Sequence, residues 1–102
     1  MAKLRISPSA ASELIDILEF TTLQSGDRMV GAEFVATLRQ KCRTLAALPG
    51  QMGRLRPEFG HGIRSFAYHG YIIIFRYIDN VFEVLHILEG HRDIDAHLND
   101  RH

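Results

Sequence analysis

The stretch that decides the fold runs from Gly62 to Asp93 and reads G-I-R-S-F-A-Y-H-G-Y-I-I-I-F-R-Y-I-D-N-V-F-E-V-L-H-I-L-E-G-H-R-D. It contains three runs rich in Ile, Val, Phe and Tyr, and the pairs His69-Gly70 and Asp79-Asn80 separate them. Such pairs tolerate the positive φ angles that a two-residue hairpin needs. The sequence therefore predicts a meander of three consecutive antiparallel strands.

The two turns also set the register of the meander. A two-residue loop pairs its flanking residues, so Tyr68 should lie opposite Tyr71, and Ile78 opposite Val81. Counting outward gives an aromatic face that carries Arg64, Phe66, Tyr68, Tyr71, Ile73, Phe75, Tyr77, Phe82, Val84, His86 and Leu88. The opposite, mainly aliphatic face carries Ile63, Ser65, Ala67, Ile72, Ile74, Arg76, Ile78, Val81, Glu83, Leu85 and Ile87. We predict that the aliphatic face packs on helices. The aromatic face, with its Arg and His side chains, is then the working surface.

Length and composition predict one domain spanning residues 1–102, because a chain of this size can bury one core and not two. Basic and acidic residues number 12 each, so net charge gives no argument for nucleic acid, a membrane or an acidic substrate. The single cysteine, Cys42, excludes an internal disulfide. No segment resembles a signal peptide or approaches the ~20 apolar residues of a transmembrane helix. We therefore expect a cytoplasmic protein.

Upstream of the meander, the sequence predicts a strand and two helices. Lys3–Ile6 alternates in polarity and is expected at a sheet edge. Ser7-Pro8 is typical of a helix start, and this helix should end before Ser25-Gly26. Asp27 should cap a second helix that ends near Pro49-Gly50. The expected apolar stripes are Ala11, Leu14, Ile15 and Leu18 in the first helix, and Val35, Leu38, Cys42 and Leu45 in the second.

These elements predict a two-layer α+β fold in the order β-α-α-β-β-β, with a helical hairpin on a four-stranded, mainly antiparallel sheet. The connection from Pro49 to Gly62 is long for a loop without its own structure, and loops of this length are usually functional or disordered. Arg92–Asn99 is a candidate short C-terminal helix.

Arginines are the main candidates for binding chemistry. Arg54, Arg56, Arg64 and Arg92 would suit phosphates or carboxylates if they converged. Solvation, or pairing with Glu58 and Asp93, explains them equally well. Arg76 should instead pair with Glu83 across two strands.

The remaining polar candidates have simpler explanations. A general base at His86 would be useful on the aromatic face, but a packed, hydrogen-bonded histidine is the simpler interpretation. The six histidines are scattered, so we predict no metal site and no cofactor. Cys42 lies on an apolar stripe and is expected to be a small core residue.

Several fragments together resemble the ParE branch of the ParE/RelE toxin superfamily. They are L-P-G-Q-M-G-R-L-R-P-E-F from Leu48 to Phe59, G-I-R-S-F from Gly62, Tyr71 with I-F-R at 74–76, and G-H-R-D at 90–93. The resemblance spans the chain and implies a RelE/ParE-like fold. It also implies a toxin of a type II toxin–antitoxin pair, of the kind linked to plasmid stabilisation. By this resemblance the target is DNA gyrase, and the residues expected to bind it are Arg54, Arg56, Arg64, Arg92 and Asp93.

The resemblance also implies a ParD-like antitoxin that forms a hetero-oligomer with the toxin and is its only link to DNA. A sheet covered on one side leaves an apolar area that normally marks an interface. We predict that the antitoxin's disordered tail folds on this area. The predicted antitoxin-binding residues are Phe66, Tyr68, Tyr71, Phe75, Tyr77 and Phe82.

Two residues depart from the family's closing motif, R-V-L-H-G-x-R-D: His86 replaces Arg and Glu89 replaces His. One alternative is therefore a RelE-like, ribosome-dependent mRNA endoribonuclease that uses Arg64, His86, Arg92 and His97. Another is an inactive homologue that acts as a co-repressor with its antitoxin. Two lysines and zero net charge favour a protein target over RNA, because phosphate contacts dominate RNA affinity. We expect inhibition by binding and no catalytic residue.

Overall fold

The computed structural model describes residues 2–90, in which two helices cover one face of a five-stranded sheet. The elements are β1 (Lys3–Ile6), α1 (Pro8–Ser25), α2 (Arg28–Ala47), β2 (Arg54–Leu55), a 3₁₀ turn (Pro57–Phe59), β3 (Arg64–Tyr68), β4 (Tyr71–Ile78) and β5 (Val81–Glu89). The strand order is β1-β5-β4-β3-β2, with β1 parallel to β5 and the other pairs antiparallel. The α+β prediction is confirmed, including β1 at an edge.

Two details of the prediction change or stay open. The long connection after α2 is ordered: it contributes the short edge strand β2 and the 3₁₀ turn, neither of which was predicted. The candidate helix Arg92–Asn99 lies outside the described residues. Within residues 2–90, neither α1 nor α2 combines the length and apolarity needed to cross a membrane.

Local side-chain caps explain where the helices begin. The Ser7 hydroxyl accepts a hydrogen bond from the Ala10 N–H at 3.0 Å, and Pro8 occupies the first turn, where a missing N–H costs nothing. The Asp27 carboxylate accepts from the Met29 N–H at 2.8 Å and starts α2. Both predicted starts are confirmed.

The helical hairpin closes on one small residue. Gly31 of α2 is buried against α1, where an added Cβ would clash with Thr22 Oγ1 and lie 3.0 Å from the Leu18 carbonyl oxygen. Only glycine lets the two backbones approach this closely at the crossing.

The meander has the predicted turns. Tyr68 pairs with Tyr71 and Ile78 with Val81, and the residues at both turns have positive φ angles. Farther along β5 the register shifts, because Phe75 lies opposite Val84 whereas Ile74 lies opposite His86. Leu85 is thus the extra residue of a β-bulge.

The bulge exchanges the faces of the residues that follow it. Ile87 lies opposite Ile73, and both belong to the core between sheet and helices. His86 turns to the opposite face with Ile74. The prediction that His86 lies on the aromatic face is therefore wrong, and so is the placement of Ile87 on the aliphatic one.

The assignment of the two sheet faces is also wrong, since the aromatic face packs on the helices. The face that was expected to bind helices carries Arg76 and Glu83, and burying two charges under a helix costs more than burying tyrosine rings. The core residues are Ala10, Leu14, Ile17, Leu38, Cys42, Leu45, Ala46, Ile73, Phe75, Phe82, Val84 and Ile87. Ile15, predicted to be on the buried stripe, is 57% exposed.

Replacing Gly31 with valine should open the hairpin crossing. We expect Gly31→Val to lower the free energy of unfolding by about 2–3 kcal/mol, because the clash with α1 outweighs any gain in helix propensity. Denaturant unfolding followed by circular dichroism measures this change. Glu33→Val at an exposed site of the same helix is the control for β-branching alone, and equal losses in the two variants would contradict the close approach.

Candidate functional site

The sheet face that the helices do not cover, here called the outer face, carries a polar row. Arg54 lies opposite Ser65, Ser65 opposite Ile74, and Ile74 opposite His86, so one row crosses β2, β3, β4 and β5. Residues directly opposite each other in a sheet point to the same face. Two of the predicted polar candidates, Arg54 and His86, therefore lie on the outer face.

Arg56 extends this row and is already engaged. Its Nη1 donates to Ser65 Oγ at 3.1 Å and its Nε donates to Glu58 Oε2 at 2.7 Å. Its guanidinium also lies 4.4 Å from the centre of the Phe59 ring. The hydrogen bond from Arg56 is the main reason that the pKa of Glu58 is lowered. Of the explanations left open for Arg56, the structure shows pairing with Glu58.

Arg54 is different, because it is exposed and its side chain makes no hydrogen bond or ion pair with any residue in 2–90. Its guanidinium therefore keeps all five donors for an external group. Of the predicted target-binding arginines that the structure describes, Arg54 is the one positioned to bind a carboxylate or phosphate without first losing an internal partner.

Arg64 lies on the other side of the sheet. It is opposite Phe75, which is a core residue, and its Nε donates to the Met52 carbonyl oxygen at 2.7 Å. Its Nη2 is 3.4 Å from the Gly53 carbonyl oxygen. The Met52 N–H donates to Tyr77 Oη at 2.9 Å. Arg64 thus anchors the loop before β2 and does not converge with Arg54.

The anchored loop closes one end of the core at Gly53. Gly53 has φ +75°, and an added Cβ would lie 2.7 Å from both Phe75 Cζ and the Ser65 carbonyl oxygen. The fragment M-G-R, which carries part of the family resemblance, therefore has a structural explanation: the loop backbone lies directly on the core.

A second charged group on the outer face is internally paired. Glu83 on β5 is buried, and its Oε1 accepts from Arg76 Nε of β4 at 2.8 Å. Its Oε2 lies 3.6 Å from Arg5 Nε of β1. The predicted pair of Arg76 and Glu83 is confirmed, and three strands are joined through one carboxylate.

Glu13 of α1 completes the site at the open edge of β5. Strand β1 pairs with β5 only as far as Ile6 opposite Val84. Beyond that point Glu13 Oε1 accepts the Ile87 N–H at 2.8 Å, and Glu13 Oε2 lies 2.9 Å from His86 Nδ1. Glu13 thus replaces a strand as the partner of a backbone donor, and sequence reasoning missed this role.

The predicted antitoxin-binding residues must be corrected because their face is covered by helices. Phe75 and Phe82 are 0% exposed, so neither offers surface to a partner. Phe66, Tyr68, Tyr71 and Tyr77 are half-buried and pack against the core. Near the rim, Lys41 Nζ lies 4.8 Å from the centre of the Phe66 ring. Burial, followed by the charge of Glu89, raises the pKa of Tyr71.

The remaining candidates fall into two groups. Cys42 is buried in the core, as predicted, and burial raises its pKa to about 11, so the thiol stays protonated at neutral pH. Within residues 2–90, no three His, Cys, Asp or Glu side chains come close enough to hold a metal ion. Arg92, Asp93 and His97 lie outside the described residues.

Comparison with known proteins gives one family and one fold. The family model described as "ParE toxin of type II toxin-antitoxin system, parDE" matches residues 4–94. The structure is similar to a chain described as "Chromosomal ParDE TA system from P. aeruginosa", with a TM-score of 0.75 and 20% identity over 87% of this chain and 96% of that chain. At this identity the likeness shows the fold. No curated protein sequence matches the chain.

Gly53→Ala should destabilise the fold more than Gly50→Ala. Both positions have positive φ, but an added Cβ at Gly50 meets no atom within 4 Å. We expect a loss of about 1–2 kcal/mol for Gly50→Ala from backbone strain alone, and of about 2–4 kcal/mol for Gly53→Ala because overpacking adds to it. Thermal unfolding of the two variants beside the parent measures the difference. Equal shifts would contradict close packing on Phe75.

Removing the Glu13 carboxylate should leave the Ile87 N–H and the His86 ring without this partner. We expect Glu13→Ala to cost about 1–3 kcal/mol, and Glu13→Gln to cost less because the amide oxygen can still accept the N–H. Hydrogen exchange at the Ile87 amide, measured by NMR, should speed up in Glu13→Ala. Glu33→Ala on the exposed side of α2 is the control, and unchanged exchange at Ile87 would refute the edge-capping role.

Proposed function

Because the chain belongs to the family of ParE toxins of type II toxin–antitoxin systems, we propose that it inhibits DNA gyrase by direct binding and that a ParD-like antitoxin neutralises it. Both partners would meet it in the cytoplasm. The observation that carries a binding mechanism is the separation of Arg64 from His86 on opposite faces of the sheet.

Cleavage of RNA would need a base, a cation and an acid within hydrogen-bonding reach of one phosphate. Of the four residues in the ribonuclease alternative, Arg64 and His86 are described. The Arg64 guanidinium is held by loop carbonyl oxygens on the helix side. The His86 ring lies on the outer face, opposite Ile74, and is held there by Glu13 at the edge of β5. This separation favours a protein that binds its target over one that cleaves RNA.

The outer face supports a role in target binding. Arg54 offers an exposed guanidinium, and Arg56 lies beside it with Ser65. Bidentate pairing of such an arginine with a carboxylate on the target gives both affinity and orientation. We propose that Arg54 contacts gyrase directly, that Arg56, Arg92 and Asp93 extend the contact, and that Arg64 contributes by holding the loop that carries Arg54.

The antitoxin is proposed to bind at the rim between α2 and β3. The half-buried Phe66, Tyr68 and Tyr71 retain some accessible surface there, and an amphipathic antitoxin segment would bury it. The rim is basic, because Lys41 lies beside both Phe66 and Tyr68. An acidic antitoxin segment is therefore favoured.

Substitution of Arg54 should weaken gyrase inhibition without affecting folding. Loss of a charge-assisted contact costs about 1.5–3 kcal/mol, so we expect a tenfold to hundredfold rise in the concentration of Arg54→Ala needed to inhibit gyrase supercoiling. Its melting temperature should match the parent. Arg64→Ala should lower both inhibition and melting temperature, and Arg43→Ala on the exposed side of α2 is the control.

Two outcomes would overturn the proposal. If gyrase is unaffected and mRNA on translating ribosomes is cut in a manner that His86→Ala abolishes, the chain is a ribonuclease. If induction of the chain without its antitoxin leaves bacterial growth unchanged, and the chain strengthens promoter binding by the antitoxin, the chain is a co-repressor.

A further inference from the structure

The outward side of the helical hairpin carries a second surface, remote from the outer face of the sheet. A trough lined by apolar side chains runs between α1 and α2, and Leu18 and Ala32 lie at its centre. Ile15 and Leu23 flank it with exposures of 57% and 82%. Water-exposed leucine and isoleucine side chains that line one continuous trough are typical of an interface. This surface, the hairpin trough, is not used by the proposed gyrase contact.

Opposite charges border the two sides of the hairpin trough. Helix α1 has three acidic residues and no Lys or Arg, whereas α2 has four basic residues and one acidic residue, so their net charges are −3 and +3. Glu19 of α1 lines the trough, as do Arg28 and Arg39 of α2. Within residues 2–90, none of these three side chains makes an ion pair. The trough therefore has an acidic rim on α1 and a basic rim on α2, and Glu19, Arg28 and Arg39 remain available to pair with another molecule.

We propose that the hairpin trough binds the hairpin trough of a second copy of this chain, with α1 of each copy facing α2 of the other. A two-fold axis parallel to the helices produces this arrangement. Every neighbouring pair of helices in the resulting four-helix bundle is antiparallel, as in up-down bundles. The acidic rim of each copy then meets the basic rim of its partner, and the apolar centres cover each other.

Charge decides between this dimer and the other symmetric arrangement. A two-fold axis perpendicular to the helices would place α1 on the partner's α1, so acidic rim would meet acidic rim and basic would meet basic. Like charges across an interface disfavour a complex. The chosen dimer also leaves Arg54 exposed in both copies, because the trough lies on the opposite side of the helical layer.

Charge reversal followed by mixing tests the proposal. In the dimer, residue 19 of each copy faces residue 28 of the other. Glu19→Arg therefore places two positive charges opposite each other, and Arg28→Glu places two negative charges opposite each other. Each exchange replaces two exposed attractive pairs with repulsive ones, and we expect the dissociation constant of the homodimer to rise about tenfold. Mixing the two variants restores opposite charges at both contacts, so the heterodimer should recover the parent affinity. Sedimentation equilibrium of the purified full chain, with one variant carrying a fluorescent label, measures both quantities.

The controls separate charge, packing and folding. Glu33→Arg makes the same charge change on α2 at an exposed site outside the trough and should leave the dissociation constant unchanged. Leu23→Ser should raise it with no loss of melting temperature, since Leu23 is so exposed. The dimer should weaken as salt concentration rises.

Three results would overturn the proposal. The first is a parent chain that stays monomeric at high micromolar concentration and whose trough is protected from hydrogen exchange only when the antitoxin is added. This result would show that an antitoxin helix occupies the trough. Single charge reversals that strengthen the dimer point to the arrangement with α1 on α1, because they relieve repulsion between like rims. If mixing the Glu19→Arg and Arg28→Glu variants does not restore the parent affinity, the acidic rim of one copy does not pair with the basic rim of the other.

Discussion

The fold depends on the fact that Arg76 and Glu83 stand opposite each other in the middle of the meander. Their face cannot be buried under helices without stripping water from two charges. Glu83 is instead shared with Arg5 of β1, so one carboxylate joins three strands of the sheet. The aromatic face is left to pack on the helical hairpin. Because the aromatic face packs on the helices, the aromatic side chains of the sheet lie in or against the core, and Arg76 and Glu83 stay on the outer face. The same packing sets the position of the loop before β2.

The bulge at Leu85 places His86 and Ile87 on the faces of the sheet that suit their polarity. Strict alternation after Glu83 would bring His86 into the core and send Ile87 to the outer face. One extra residue reverses both, so that Ile87 packs against Ile73 and the His86 ring reaches Glu13. Bulges of this kind re-aim side chains at the cost of one ladder position. Here the Ile87 N–H, which has no strand partner from β1, donates its hydrogen bond to the Glu13 side chain of α1.

Local signals in the sequence predicted most of the fold. The two turns, both helix caps and the pairing of Arg76 with Glu83 depend on residues close in sequence or fixed by turn geometry. The face assignment was wrong because Arg64 and His86 suggested that the aromatic face was the more polar one, whereas the paired charges Arg76 and Glu83 lie in the middle of the other face. The bulge did leave a signal: Glu83 and His86 are three residues apart, and two polar residues on one face of a regular strand must be an even number apart. The capping of β5 by Glu13 joins residues 74 apart in the chain, which no local pattern encodes.

The surface proposed to bind the target is shaped by interactions on the opposite side of the sheet. Arg64 and Tyr77 hold the loop before β2 by its backbone, and Gly53 lets that backbone rest on Phe75. With the loop fixed from beneath, Arg54 and Arg56 project together onto the outer face, although only Arg56 has internal partners. A substitution at Arg64 should therefore displace the loop that carries Arg54, and under the proposed function it would affect target binding indirectly. Loss of function in a variant therefore does not by itself identify a target-binding residue in this protein. The effect of the substitution on folding must be measured in the same variant.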